Sequence, residues 1–145
     1  VNQADRNEET PLYVASKKRH LAVVRALLAA GAEVNLAGRN GVTPLLAASH
    51  AGHADVARVL LHAGGDVHQR DRHGRTSVYV AAWKGQAGVL HELLGAGADV
   101  SRVDKHGFFP LLVAAHVGDV GVVRGLLEAN ADVNQVQTQI LNLKP

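Results

Sequence analysis

The sequence predicts an all-α solenoid of stacked helix-turn-helix units joined by turns and hairpin-like loops. Three observations carry that expectation. Short motifs return at a fixed step of 33 residues, each return carries apolar residues at helical spacing, and the helices so defined are too short to stand alone. Thr10-Pro11-Leu12 recurs as Thr43-Pro44-Leu45, Thr76-Ser77-Val78 and Phe109-Pro110-Leu111. The same step links Leu27-Leu28, Leu60-Leu61, Leu93-Leu94 and Leu126-Leu127, and it links Ala15, Ala48, Ala81 and Ala114.

The second repeat shows the local logic. Asn40-Gly41 marks a tight turn, since Gly tolerates positive φ. Thr43 is placed to cap a helix and Pro44 to occupy its first position, where a missing N–H costs nothing. The spacing predicts a first helix over Pro44 to Ala51, with Leu45 and Ala48 on one face and Gly52 ending it. A second helix over Ala54 to Ala63 gathers Val56, Val59 and Leu60 on one side. Two helical turns are marginal in water, so each apolar stripe must be covered by the neighbouring unit. Leu27, Leu60, Leu93 and Leu126 are therefore expected to form one continuous buried spine.

Composition fits thin layers packed side by side. Of the 145 residues 47% are hydrophobic but only 3% aromatic, so Ala, Val and Leu form the core. The absence of Cys excludes a disulfide framework and thiolate metal sites. No apolar run approaches the ~18 residues of a membrane span, and membrane insertion is not expected. The opening Val1-Asn2-Gln3-Ala4 has neither an initiator Met nor a signal-like segment, and reads as a piece cut from a longer chain.

Thr-Pro-Leu, the Ala that follows it, Gly52-His53 before a second helix, and the endings Gly31-Ala32-Glu33-Val34-Asn35 and Gly97-Ala98-Asp99-Val100 together resemble the ankyrin repeat. The resemblance divides the chain into the end of a preceding repeat (1–4) and repeats at 5–37, 38–70, 71–103 and 104–136. Residues 137–145 are left as a cap, a broken repeat or a tail. Departures are plain. The family's His after Thr-Pro-Leu is replaced by Tyr13, Leu46, Tyr79 and Leu112. The fourth repeat has Phe109 for Thr, Gly121 and Gly125 inside its second helix, and Asn130 for Gly, which marks it as the loosest.

Nine histidines invite a metal or catalytic reading. No pair falls at i, i+4 on a helix with a carboxylate, as in a zinc protease, and Ser49 beside His50 lacks an orienting acid. The glycines recur at turns and helix ends and form no phosphate loop. Neither catalysis, a metal nor a cofactor is expected.

The resemblance implies binding on the concave side, through the turn tips and the exposed face of the first helices. Carried onto this chain, those positions are Arg39, His50, Arg70, Arg72, His73, Arg75, Tyr79, Trp83, Lys84, Lys105, His106, Phe108 and His116. With Arg6, Lys17 and Lys18 they hold nine of the 15 Lys and Arg, against Glu9 alone of 13 acids once the turn aspartates Asp5, Asp71 and Asp104 are set aside as structural. A chain of net charge +2 is thus expected to be basic inside its curve. Such a field attracts acidic partners and speeds encounter, while Trp83 and Phe108 supply apolar anchors. The expected role is a monomeric protein-interaction module that binds an acidic peptide or protein surface. Nucleic acid or another polyanion is the second reading, weakened because two exposed aromatics make no stacking row. A third makes this chain the targeting or regulatory part of a larger enzyme. The setting expected is cytoplasm or nucleus.

Overall fold

The computed structural model describes residues 1–129. Within them the chain forms α1 (Pro11–Lys17), α2 (Leu21–Ala29), α3 (Pro44–Ala51), α4 (Ala54–His62), α5 (Ser77–Lys84), α6 (Ala87–Gly95) and α7 (Pro110–Val117). An eighth helix, α8, spans residues 120–129. Helices and turns account for the described residues, and no strand occurs among them. Asn130 and residues 137–145, with the cap, broken repeat or tail expected there, lie outside the described residues.

Each unit is one turn followed by one helix pair, and the sequence fixes both ends of its first helix. The hydroxyls of Thr10, Thr43 and Thr76 accept hydrogen bonds from the amides of Tyr13, Leu46 and Tyr79 at 3.2, 3.2 and 3.3 Å. Gly52, Gly85 and Gly118 close α3, α5 and α7 in the left-handed conformation. At the equivalent place after α1 stands Arg19, which takes φ of 60° without a glycine's freedom. Helix α7 is preceded by Phe109, whose backbone is extended like the threonines' but whose side chain caps nothing.

The helices stack in two rows, with α1, α3, α5 and α7 inside and α2, α4, α6 and α8 outside. Leu12, Leu45 and Val78, together with the small Ala15, Ala48, Ala81 and Ala114, pack the inner row. Leu60, Leu93 and Leu126 are fully buried in the outer row, each stabilising by about 1.5–3 kcal/mol. Leu27 departs from the expected spine and is only half-buried. No described helix covers the side of α2 away from α4, and Val23, whose counterparts Val56, Val89 and Val122 are buried, is there 49% exposed.

Polar groups fasten the layers at a recurring step. Asn2, Asn35 and His68 accept hydrogen bonds from the amides of Glu33, Asp66 and Asp99 in the next unit, at 2.8, 2.8 and 2.9 Å. His53 and Gln86 reach back to the carbonyl oxygens of Lys17 and His50 at 3.0 and 3.3 Å. The glycines read as loosening the fourth unit are not equivalent. A methyl group on Gly125 would press to 3.1 Å against Leu90 of α6, so that glycine lets two outer helices approach.

Leu60→Ala should cost about 2–5 kcal/mol in urea denaturation, as buried truncations do, and Leu27→Ala distinctly less. Phe109→Thr should raise stability by about 1 kcal/mol, because its extended backbone already suits a capping hydroxyl. An unchanged urea midpoint would show that the cap is not formed.

Candidate functional site

The second, third and fourth turns are bonded directly to one another in succession. The amide of Arg72 donates to the carbonyl of Asn40 at 2.9 Å, and that of Lys105 to the carbonyl of His73 at 3.0 Å. This fixed register turns a sequence position into a spatial row. Arg39, Arg72 and Lys105 follow one another along the turn tips, one per unit, with Arg6 at the same place in the first turn. Arg72 also donates from Nη1 to the Asn40 side chain at 2.9 Å.

A carboxylate organises the third turn and another the fourth. Asp71 Oδ1 accepts the amides of His73 and Arg75 at 2.8 and 3.0 Å, and Asp104 Oδ1 those of His106 and Phe108 at the same distances. Both carboxylates are buried, so the second oxygen needs a donor as well. For Asp71 the donor is Arg75 Nε at 2.8 Å, and for Asp104 it is the hydroxyl of Tyr79 at 3.0 Å. The two solutions exchange places because Phe108 offers no donor where Arg75 does, and Leu46 none where Tyr79 does. Burial and the hydrogen bond to Asp104 push the Tyr79 hydroxyl up to about 12. Burial pushes Asp104 up as well, but hydrogen bonds from the Phe108 and His106 amides and from Tyr79 hold it below the usual carboxylate range.

On the inner helices the equivalent residues Lys17, His50, Trp83 and His116 form a second row, and Trp83 stands between two apolar grooves. The first, of about 400 Å³, runs across α1, α3 and α5 and is walled by Tyr13, Val42, Leu46, Val80 and Trp83. The second, of about 320 Å³, lies between Trp83 and α7, where Phe108, Leu112 and Val113 line it. The indole is 38% exposed. Lys84 Nζ lies 4.1 Å from its centre and the Arg75 guanidinium 5.0 Å, while the His50 ring meets it edge-on at 5.8 Å.

Most residues expected at the surface are there. Arg39, His50, Arg70, Arg72, Trp83, Lys84, Lys105, His106, Phe108 and His116 are exposed, and His73 and Arg75 are half-buried. Tyr79 is the correction. It is buried at 9% exposure and braces the next turn rather than facing a partner. Arg75 has two tasks, since its guanidinium both neutralises Asp71 and flanks Trp83. His50, Arg75, Trp83 and Lys84 converge, Phe108 and His116 join Trp83 at the second groove, and Arg70 lines neither. The groove walls Leu46 and Val80 were not singled out as site residues. Their signal was the excess of apolar residues in α3 and α5, beyond what one buried helix face requires.

The ion pairs among the described residues are Arg19–Asp55, Arg58–Glu92, Arg75–Asp71 and Arg102–Asp99. Of the nine basic residues expected on the concave side, only Arg75 appears in that set. The first turn is less basic than expected, because Glu8 and Glu9 line a hollow there with Arg39.

Three-copy ankyrin repeat models match residues 1–71 and 36–104, and a single ankyrin repeat model matches residues 106–137. The chain belongs to the ankyrin repeat family. Comparison with curated proteins found no match. Ankyrin repeats are generally protein–protein interaction modules without catalysis of their own, and no described helix is long and apolar enough to cross a membrane.

The local field of this ankyrin stack is legible in its histidines. Burial, then Lys84, Arg75 and Lys17, hold His50 below the ordinary imidazole value. Burial, then Arg75 and Lys105, do so for His73, with Arg72 adding to them and Asp71 opposing. Lys84→Gln should therefore raise the titration midpoint of His50 in an NMR pH series, while Lys105→Gln should raise that of His73 and leave His50 in place. Unmoved midpoints in both variants would show that these cations do not act on the imidazoles.

Proposed function

We propose that this ankyrin repeat domain binds an acidic peptide or acidic protein surface on its concave side, across the second to fourth units. The observation that carries this reading is the row of stacked cations that have no carboxylate partner among the described residues. Arg39, Arg72 and Lys105 stand one per unit on the turn tips, and Lys17 and Lys84 stand above the grooves. Elsewhere on the described chain Arg19, Arg58 and Arg102 each have a carboxylate within reach, while the isolated Arg25 and Arg124 on the outer helices have none among the described residues. What sets the turn tips apart is that their cations stand in register, one per unit. Like charges brought together by stacking repel, and that repulsion is relieved when an anionic surface covers them. Exposed cations of this kind set the encounter rate and the choice of partner more than the lifetime of the complex. The lifetime falls to the desolvated anchors, Trp83 and Phe108.

Arg72→Glu with Lys105→Glu tests the charge, because neither side chain holds a buried partner. Arg75→Glu is unsuitable, since it would set a second carboxylate against the buried Asp71. With a glutamate-rich peptide that carries a single Leu as probe, the double variant should associate more slowly and lose most of the salt dependence of binding. Trp83→Ala should instead speed dissociation, at a cost of roughly 2 kcal/mol or more. Wild-type kinetics in both variants would place the interface elsewhere. Tighter binding of a single-stranded oligonucleotide of equal charge would favour nucleic acid.

A further inference from the structure

The concave side carries two parallel tracks of different chemistry. One is the cationic row on the turn tips, and the other is the pair of apolar grooves that meet at Trp83. The first groove has carbon walls from Tyr13, Val42, Leu46, Val80 and Trp83 and cations from Lys17 and Arg75, and Lys84 lies over the Trp83 ring that forms one of those walls. Arg75 is already engaged by Asp71, but Lys17 and Lys84 have no carboxylate partner among the described residues. A surface meant only for a polyanion has no use for an apolar cavity between its cations. One meant only for an apolar helix would not hold uncompensated charge at its rim.

We infer that the groove between α1, α3 and α5 is a socket for one large apolar side chain of a peptide whose neighbouring residues are acidic, so that the side chain packs on Leu46 and Trp83 while flanking carboxylates reach Lys17 and Lys84. The inference rests on the reading above and narrows it. The ligand is a short segment in which an apolar residue is embedded among Asp and Glu, rather than any acidic surface. A groove of about 400 Å³ is within the range of ligand cavities and has room for one large apolar side chain, Leu, Ile, Phe or Met, together with the peptide segment that carries it. Trp83 lies between this socket and the Phe108 groove, so a second apolar residue further along the same segment is accommodated without rearranging the first. Specificity then has two independent parts. Charge selects acidic segments, and the socket selects among them by the area of one side chain.

Selection of a phage-displayed random peptide library on the purified domain tests this directly. The enriched sequences should share one large apolar residue with Asp or Glu within two positions. The synthesised consensus peptide should shift the fluorescence of Trp83, the only Trp in the chain. Its affinity should fall roughly tenfold or more when its apolar residue is changed to Ala, since most of the buried carbon is lost. Ala51→Phe, which fills the socket from the end of α3, should weaken the same peptide by a similar factor while keeping the wild-type melting curve. Should that variant fail to fold, the Ala-substituted peptide on the wild-type domain decides alone. Enriched peptides that are acidic with no apolar preference would overturn the socket and leave the acidic-partner reading standing. Enriched peptides without acids, or no enrichment at all, would overturn both.

Discussion

A helix of seven to nine residues buries its apolar stripe only against another helix, and along each row of this chain that helix is the equivalent one 33 residues on. Register between units is therefore not adjustable. Slipping one pair against the next would move Leu60 or Leu93 off its neighbour and break the turn-to-turn bonds at Arg72 and Lys105 together. Because register is fixed, whatever the sequence repeats is laid out in a line. Repeated Leu becomes a spine, repeated Thr a set of caps, and repeated Arg and Lys a charged edge.

The buried turn carboxylates show how much freedom that constraint leaves. Asp71 and Asp104 each hold two turn amides with one oxygen, so the turns keep their shape in both units. The other oxygen demands a donor but does not specify which, and the chain answers once with Arg75 and once with Tyr79. The choice has consequences on the surface. Using Arg75 keeps a guanidinium beside Trp83, and using Tyr79 frees the position of Phe108 for an aromatic ring that 46% exposure leaves open to a partner. The basic-to-apolar change from the third unit to the fourth thus follows from how a buried charge was satisfied.

Much of this architecture was legible from residue types alone. Thr43-Pro44 placed the start of α3 and Gly52 its end, because capping and positive φ are local properties. The spine was legible at Leu60, Leu93 and Leu126 but not at Leu27, because periodicity marks an apolar face without registering how far another helix covers it. The basic strip could be read once the concave positions were known, but its neutralised member could not. Whether Arg75 reaches Asp71 depends on burial of that carboxylate, which leaves no mark in the sequence. Tyr79 was misread for the same reason. Its position faces the curve, yet its hydroxyl is drawn into the turn below by an oxygen with no other donor. The socket walls stayed hidden because Leu46 and Val80 look like core, and distinguishing core from groove needs the gap between helices.

Charge and stacking bear on one another through salt. Within one stack, the unpaired cations raise the free energy of the folded state, and ions reduce that penalty because at physiological ionic strength screening acts over about 8 Å. The same ions weaken attraction of the row for an acidic partner. Apolar burial along the spine and in the grooves has no such dependence on screening. Salt thus favours the free stack and disfavours encounter, while the contribution of an apolar side chain seated against Trp83 is largely unaffected. On the proposed reading, a surface that combines the two would keep its discrimination between apolar side chains where its electrostatic attraction has been weakened, because apolar burial against Trp83 does not depend on screening.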